Sequence, residues 1–173
     1  STSVISVDIM WYIPVKSVGT KHIGKRFNIE GTEQESACTG SQFWIVDKDY
    51  ISTFGLSLVA GRNFDMNIAS DSTAVIVNQR MVRELGIENP IGARITNGDS
   101  YTIIGVVEDF IFGSLREEGV DPLCMAIGGS NSLISVKIKA SDAAQTIKSI
   151  STIWDKFSPQ QRIQYSFLDE GFA

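Results

Sequence analysis

Histidine occurs once in the 173 residues, cysteine twice and proline four times. No apolar run approaches the ~20 residues that a bilayer span requires. Each scarcity removes a class of function. His22 has no Cys-x-x-Cys or His-x-x-x-His spacing near it, so neither a zinc site nor an imidazole base is written in the sequence, and it reads as a solvated loop residue. Cys38 and Cys124 imply no disulfide by themselves, because pairing needs a geometry that spacing does not supply, and they fit reducing or oxidising surroundings. Like charges never extend beyond pairs such as Lys25-Arg26 and Glu117-Glu118. With 15 basic against 20 acidic residues the net charge is −5, so the cationic face that nucleic acid demands is missing.

Catalytic patterns are absent as well. There is neither a P-loop nor Gly-x-Gly-x-x-Gly, and the nearest approach to a nucleophile elbow, Gly128-Gly129-Ser130-Asn131-Ser132, lacks its last glycine. Asp65–Asp71 begins like a calcium loop, but Ala69, Ser70 and Ile76 stand where a ligand, a glycine and a bidentate glutamate are required. Glu108 and Asp109 are adjacent at the end of a strand, so they point to opposite faces and do not act as an acid/base pair. The sequence therefore predicts no catalytic residue, no metal and no cofactor.

What is present is ordinary globular material, 43% hydrophobic and sufficient for one domain or two small ones. Val4–Ile13 reads as a strand closed by Pro14, followed by hairpin-like strands at Lys25–Ile29 and Cys38–Val46. Two strand-to-helix units follow. In one, Asp47 caps a turn carrying Tyr50, Ile51 and Phe54 that Gly55 stops; in the other, strand Thr73–Val77 meets the cap Asn78, then Met81, Val82 and Leu85, and stops at Gly86. Leu56 and Ile87, just after the glycines, are placed to pack back on Ile51 and Val82.

Arg94–Thr96 and Tyr101–Val107 form a hairpin about Asn97-Gly98-Asp99, Gly113–Gly119 is a loop or short 3₁₀ turn, and Leu123–Ile127 and Leu133–Lys139 are strands. Ser141 caps a helix to Phe157 with the stripe Ala143, Ile147, Ile150, Trp154 and Phe157, which is expected to be buried; a strand Ile163–Leu168 ends the pattern. Phe110, Ile111 and Phe112 are too apolar for an exposed loop, so they pack or touch a partner.

Four blocks in series carry a resemblance: Asp49-Tyr50-Ile51-Ser52-Thr53-Phe54-Gly55-Leu56-Ser57-Leu58-Val59-Ala60-Gly61-Arg62-Asn63-Phe64, Ala74-Val75-Ile76-Val77-Asn78-Gln79, Leu85-Gly86-Ile87-Glu88-Asn89-Pro90-Ile91-Gly92 and Ile103-Ile104-Gly105-Val106-Val107-Glu108-Asp109-Phe110. In order and spacing the chain resembles the extracytoplasmic core domain of MacB-type, FtsX-like ABC transporter permeases. With Asp109-Phe110 and Phe167-Leu168-Asp169 it is most similar to the form in Bacteroidetes-type bacteria. Val15–Glu35 matches no motif of that family.

The resemblance implies an α+β fold of two lobes: a porter-like lobe from residues 1–60 and 118–173, and a smaller inserted lobe from 61–117. It implies a non-enzymatic domain on the periplasmic face of the inner membrane, cut from a longer chain, with Ser1 and Ala173 at one end beside transmembrane helices. The implied partners are those helices, a cytoplasmic ATPase subunit or domain, and a periplasmic adaptor or substrate, with room for pairing of two copies. The alternative reading is an extracytoplasmic ligand-sensing domain, which calls for a deep apolar pocket. The family-motif residues Gly61, Arg62, Phe64, Asn78, Gly86, Pro90, Gly92, Gly105 and Asp109 read as fold-makers. Arg62 is expected to clamp a hinge between lobes through Asp65, and Phe110, Ile111 and Phe112 are the expected partner contact.

Overall fold

The computed structural model describes residues 4–10, 24–32, 37–110, 120–129 and 133–167. Nine strands and three α-helices are assigned among them: β1 (Val4–Met10), β2 (Gly24–Ile29), β3 (Ala37–Val46), α1 (Tyr50–Phe54), β4 (Leu58–Gly61), β5 (Ala74–Asn78), α2 (Gln79–Leu85), β6 (Arg94–Thr96), β7 (Ser100–Val107), β8 (Leu123–Ile127), β9 (Leu133–Ile138) and α3 (Ala143–Phe157). The α+β class expected from the sequence is the class observed.

The strands form two sheets. β1 and β9 pair antiparallel, with Val7 opposite Val136 and Ile9 opposite Ile134. The other seven run in the order β4-β7-β5-β8-β3-β2-β6, and β6 also pairs with β7. That last pairing closes six strands into a ring, with β4 attached to the C-terminal half of β7. β5 lies between β7 (parallel) and β8 (antiparallel), and all five of its residues are buried, as its unbroken apolar run requires of a strand covered on both faces.

Alternation along these strands builds two cores. One takes side chains from all six ring strands, including Phe27, Cys38, Val75, Ile95, Ile103 and Cys124, and is completed by Met81 and Leu85 of α2. The other lies on the opposite face of β3, β5 and β8, where Trp44, Ile76, Leu123 and Met125 pack with Tyr50 and Ile51 of α1 and with Phe64. A one-residue slip would exchange these faces, so the register is fixed from both sides.

The sheet does not follow the lobe boundaries expected at 60/61 and 117/118. β4 straddles the first, and β2, β3 and β8, assigned to the porter-like lobe, pair within the ring that holds β5, β6 and β7. The reason is non-local: β8 inserts between β5 and β3, a pairing that no local pattern announces.

Several local expectations also change. Asp47 is not the cap of α1; Asp49 holds that position without a side-chain bond, and the Asp47 carboxylate instead accepts from the Asp49 amide at 2.8 Å. Ser141 does not cap α3, because a 3₁₀ turn over Ala140–Asp142 precedes the helix and its hydroxyl donates to Asp142. The stripe on α3 is only half-buried and Phe157 is 83% exposed; Thr146 is the buried residue of that helix. Residues 163–167 form no strand, and Tyr165 and Phe167 are exposed with their rings edge to face. Ser1, Trp11–Pro14, His22, Ile111, Phe112, Gly113–Gly119, Leu168 and Ala173 lie outside the described residues.

Candidate functional site

The family-motif residues converge on two places, the start of α2 and the β4–β7 junction with the loop that follows it. At the first, Asn78 ends β5 with extended backbone and is fully buried. Its Oδ1 accepts from the Met81 amide at 3.0 Å, which caps the helix, and from the Leu123 amide at 2.9 Å, while its Nδ2 donates to the Asp121 carbonyl at 2.9 Å. One amide thus satisfies a helix N-terminus and the start of the neighbouring strand, with both buried donors paired.

Asp109 adds a second fastening to the same helix. Its Oδ1 accepts from the Arg80 amide at 2.7 Å and its Oδ2 pairs with the Arg83 guanidinium. The carboxylate therefore sits where the helix dipole and an arginine both favour negative charge. Glu108 is exposed and its amide donates to Ser57, so the two acidic neighbours serve different elements. At the far end, Gly86 adopts φ +67° and the Ile87 amide reaches Val82 at 3.2 Å; Gly55 and Leu56 close α1 in the same way, with Leu56 bonded to Ile51 at 2.9 Å.

At the second place two glycines face each other across β4 and β7. Gly61 has φ +73°, and a Cβ there would run into the Ile104 carbonyl; at Gly105 a Cβ would lie 2.5 Å from the Arg62 carbonyl. Neither tolerates a side chain, because backbone is in the way. Pro90 and Gly92 form the turn into β6, with the Gly92 amide bonded to Ile103 at 2.8 Å.

Arg62, on leaving β4, does not clamp Asp65. Its two terminal nitrogens bind the two oxygens of Asp71 at 2.7 Å each, and the Asp65 amide adds a bond to Asp71 at 2.9 Å. Asp71 is 2% exposed, and the Arg62 guanidinium, aided by the Asp65 amide, holds its carboxyl below the ordinary carboxylate range despite burial. Asp65 instead accepts from the backbone and side chain of Asn67, which fixes the loop tip where Met66 stands exposed. The calcium-like spacing is thus occupied by internal bonds, and Phe64 anchors the loop in the core at 6% exposure.

Phe110, expected as partner contact, is half-buried and packs edge to face on Trp44 with ring centroids 6.2 Å apart. It belongs to the core. Cys38 and Cys124 are free thiols in the ring interior. Burial pushes the Cys38 thiol up to about 12, with the Ser41 hydroxyl opposing and Glu84 adding to the shift; burial pushes Cys124 up as well. Cys38 donates to Glu84 at 3.1 Å and accepts from Ser41 at 3.0 Å.

Among the described residues no cluster of His, Cys, Asp or Glu is arranged to hold a metal ion. An open groove of about 380 Å³ lies between β4 and α2, walled by Val59, Ala60, Val82, Pro90 and Val106. No helix among the described residues is long and apolar enough to cross a membrane. Sequence reasoning located the Asn78 cap and the glycine stops Gly55 and Gly86, misplaced the caps of α1 and α3, and missed Asp71 as the partner of Arg62, since nothing in a polar loop distinguishes it from Asp65.

No curated protein matches the chain in sequence. In fold it is similar to the periplasmic region of MacB from Actinobacillus actinomycetemcomitans, with a TM-score of 0.63, 16% identity, and coverage of 94% of this chain and 71% of that one. It is also similar to the extracellular domain of the noncanonic ABC-type transporter YknZ from Gram-positive bacteria, with a TM-score of 0.61, 17% identity, and coverage of 92% and 79%. The family model for the MacB-like periplasmic core domain matches residues 4–153, nearly the span from β1 through α3, and the chain belongs to that family of extracytoplasmic ABC permease domains.

Proposed function

We propose that this domain is a non-catalytic relay that passes a conformational change, driven by ATP hydrolysis on a cytoplasmic ATPase subunit or domain, to a partner or substrate outside the membrane. The observation that carries the reading is the match to the MacB-like periplasmic core domain across residues 4–153, which we read as leaving nucleotide chemistry to another part of the transporter. The architecture supports it: the family-motif residues that are described hold elements in place, with Asn78 and Asp109 securing α2 and Arg62 securing the loop after β4. The two sheets are read as the two lobes, with β1, β9 and α3 toward the transmembrane helices and the ring, with β4, reaching outward. A periplasmic adaptor or substrate would meet that outer body, and two permease copies can pair in the full transporter.

The reading is tested in the intact permease with its ATPase by placing spin labels at exposed Ser72 and Gln145, one on each body. The distance distribution should change between the nucleotide-free and vanadate-trapped states. An unchanged distribution in a transporter that still moves substrate overturns the relay.

A further inference from the structure

Every exposed aromatic ring among the described residues lies in one late stretch of the chain: Phe157, Tyr165 and Phe167. Ile153 adds to them, more than half exposed and one turn before Phe157, so the two share a flank of α3. The segment after the helix keeps a defined path. The Trp154 indole donates to the Gln161 carbonyl at 2.6 Å and the Gln161 amide to the Ser158 carbonyl at 3.1 Å, which folds residues 158–161 back on the last turn. Tyr165 and Phe167 then meet edge to face at 6.2 Å.

Charge here runs against that of the whole. From Ala143 to Phe167 the chain carries Lys148, Lys156 and Arg162 against Asp155 alone, whereas its net charge is −5. All three cations are exposed, and none has an ion-pair partner among the described residues. Lys156 is three positions from Ile153 and borders the apolar flank; Asp155, two positions from both Ile153 and Phe157, is turned to the far side of the helix. Apolar and aromatic side chains edged by unpaired cations, with the acid turned away, suit a bilayer interface, where rings enter the acyl boundary and cations stay with the phosphates. A two-fold contact of this flank with its own copy would instead set Lys156 near Lys156. A domain of an extracytoplasmic permease family has such a lipid surface beside it.

We propose that α3 docks on the outer surface of the bilayer through Ile153, Lys156 and Phe157 and binds anionic phospholipid there, with Arg162 and the Tyr165–Phe167 pair of the following segment as further contacts. The proposal deepens the relay reading and rests on it for the orientation of α3 toward the transmembrane helices. Lipid binding is measured without transport, so its failure leaves the relay standing, and an unchanged distance between the labels at Ser72 and Gln145 leaves lipid binding standing.

Flotation of the 173-residue chain is compared on vesicles of phosphatidylcholine and on vesicles of phosphatidylcholine with phosphatidylglycerol. The anionic vesicles should bind about tenfold more tightly, the effect of two basic side chains near a negative surface, and added salt should remove the difference. Phe157→Ser should weaken binding about tenfold, and Lys156→Glu with Arg162→Glu should abolish the preference for the anionic vesicles. Both variants should melt with the parent chain, because all three residues are exposed. Absence of binding to the anionic vesicles, or binding that neither variant weakens, overturns the proposal. If the chain ignores vesicles and sediments as a dimer that Phe157→Ser dissolves, the flank serves a second copy and the lipid reading falls.

Discussion

The ring and the terminal unit use similar sequence patterns to different ends. In the ring, every residue of β5 is buried and α2 turns Met81 and Leu85 inward. In β1, β9 and α3, by contrast, Ile5, Ile134, Ile153 and Phe157 are more than half exposed, and the residue α3 buries is a threonine. Amphipathic spacing specifies that a face is apolar; it does not specify what covers it. The ring closes on itself and finds its own cover, whereas a two-stranded sheet is marginal without further packing.

Paired tryptophan truncations probe this difference most strongly. Trp44→Ala, in the outer core at 0% exposure, should cost about 3–5 kcal/mol in urea unfolding. Trp154→Ala, half-buried on α3, should cost about 1 kcal/mol. Equal costs would erase the distinction between the two regions.

Asn78→Ala comes next. It removes a helix cap and orphans the Leu123 amide, so a loss of about 2–4 kcal/mol is expected. Serine at the same position, able to cap but too short to bridge to β8, should recover less than half of that. Full recovery would reduce Asn78 to a cap.

Arg62→Met is expected to act through pH. In the native chain the Asp71 carboxyl is held low, so its contribution to stability is complete above the unfolded value of about 4 and disappears as pH falls through the folded value. Without the guanidinium, burial dominates and the folded carboxyl rises above the unfolded one. The variant's contribution should then improve as pH falls through the raised folded value, the opposite sign. Urea midpoints at a series of pH values check this, and parallel curves for the two proteins would mean that Arg62 does not control Asp71.

The smallest effects fall at the extremes of exposure. Phe157→Ser should change stability by less than about 0.5 kcal/mol, because the ring is 83% exposed. Cys38, its thiol pushed up to about 12 by burial, should resist an aromatic disulfide reagent at pH 8 until the chain unfolds, and Cys124 should behave alike. Labelling of either in the folded chain would mean that the ring opens more readily than its packing implies.

Local chemistry was legible in the sequence. Asn78, Gly55 and Gly86 could be read because a cap or stop needs only its own few residues, whereas Gly61 and Gly105 were legible as fold-making glycines but not as partners across β4 and β7. Long-range partners were not legible. Asp71 and Asp65 are equivalent on paper, and only the fold brings the former to Arg62. Phe110 looked like a contact because its cover, Trp44, lies 66 positions away. The periodicity of α3 was read correctly, but its burial depends on elements that the pattern does not name.

The position of β8 also governs the order in which the fold can be completed. It is the last ring strand in the chain yet sits between β5 and β3, so those two have no shared neighbour until Leu123–Ile127 arrives. A chain emerging on the outer side of a membrane would display the open edges of both until Leu123, 45 positions beyond Asn78, is reached. Closure through such distant pairing is intrinsically slow, on the order of milliseconds to seconds. The last five residues to join the ring therefore set the interval during which the unfinished sheet is exposed to unwanted pairing.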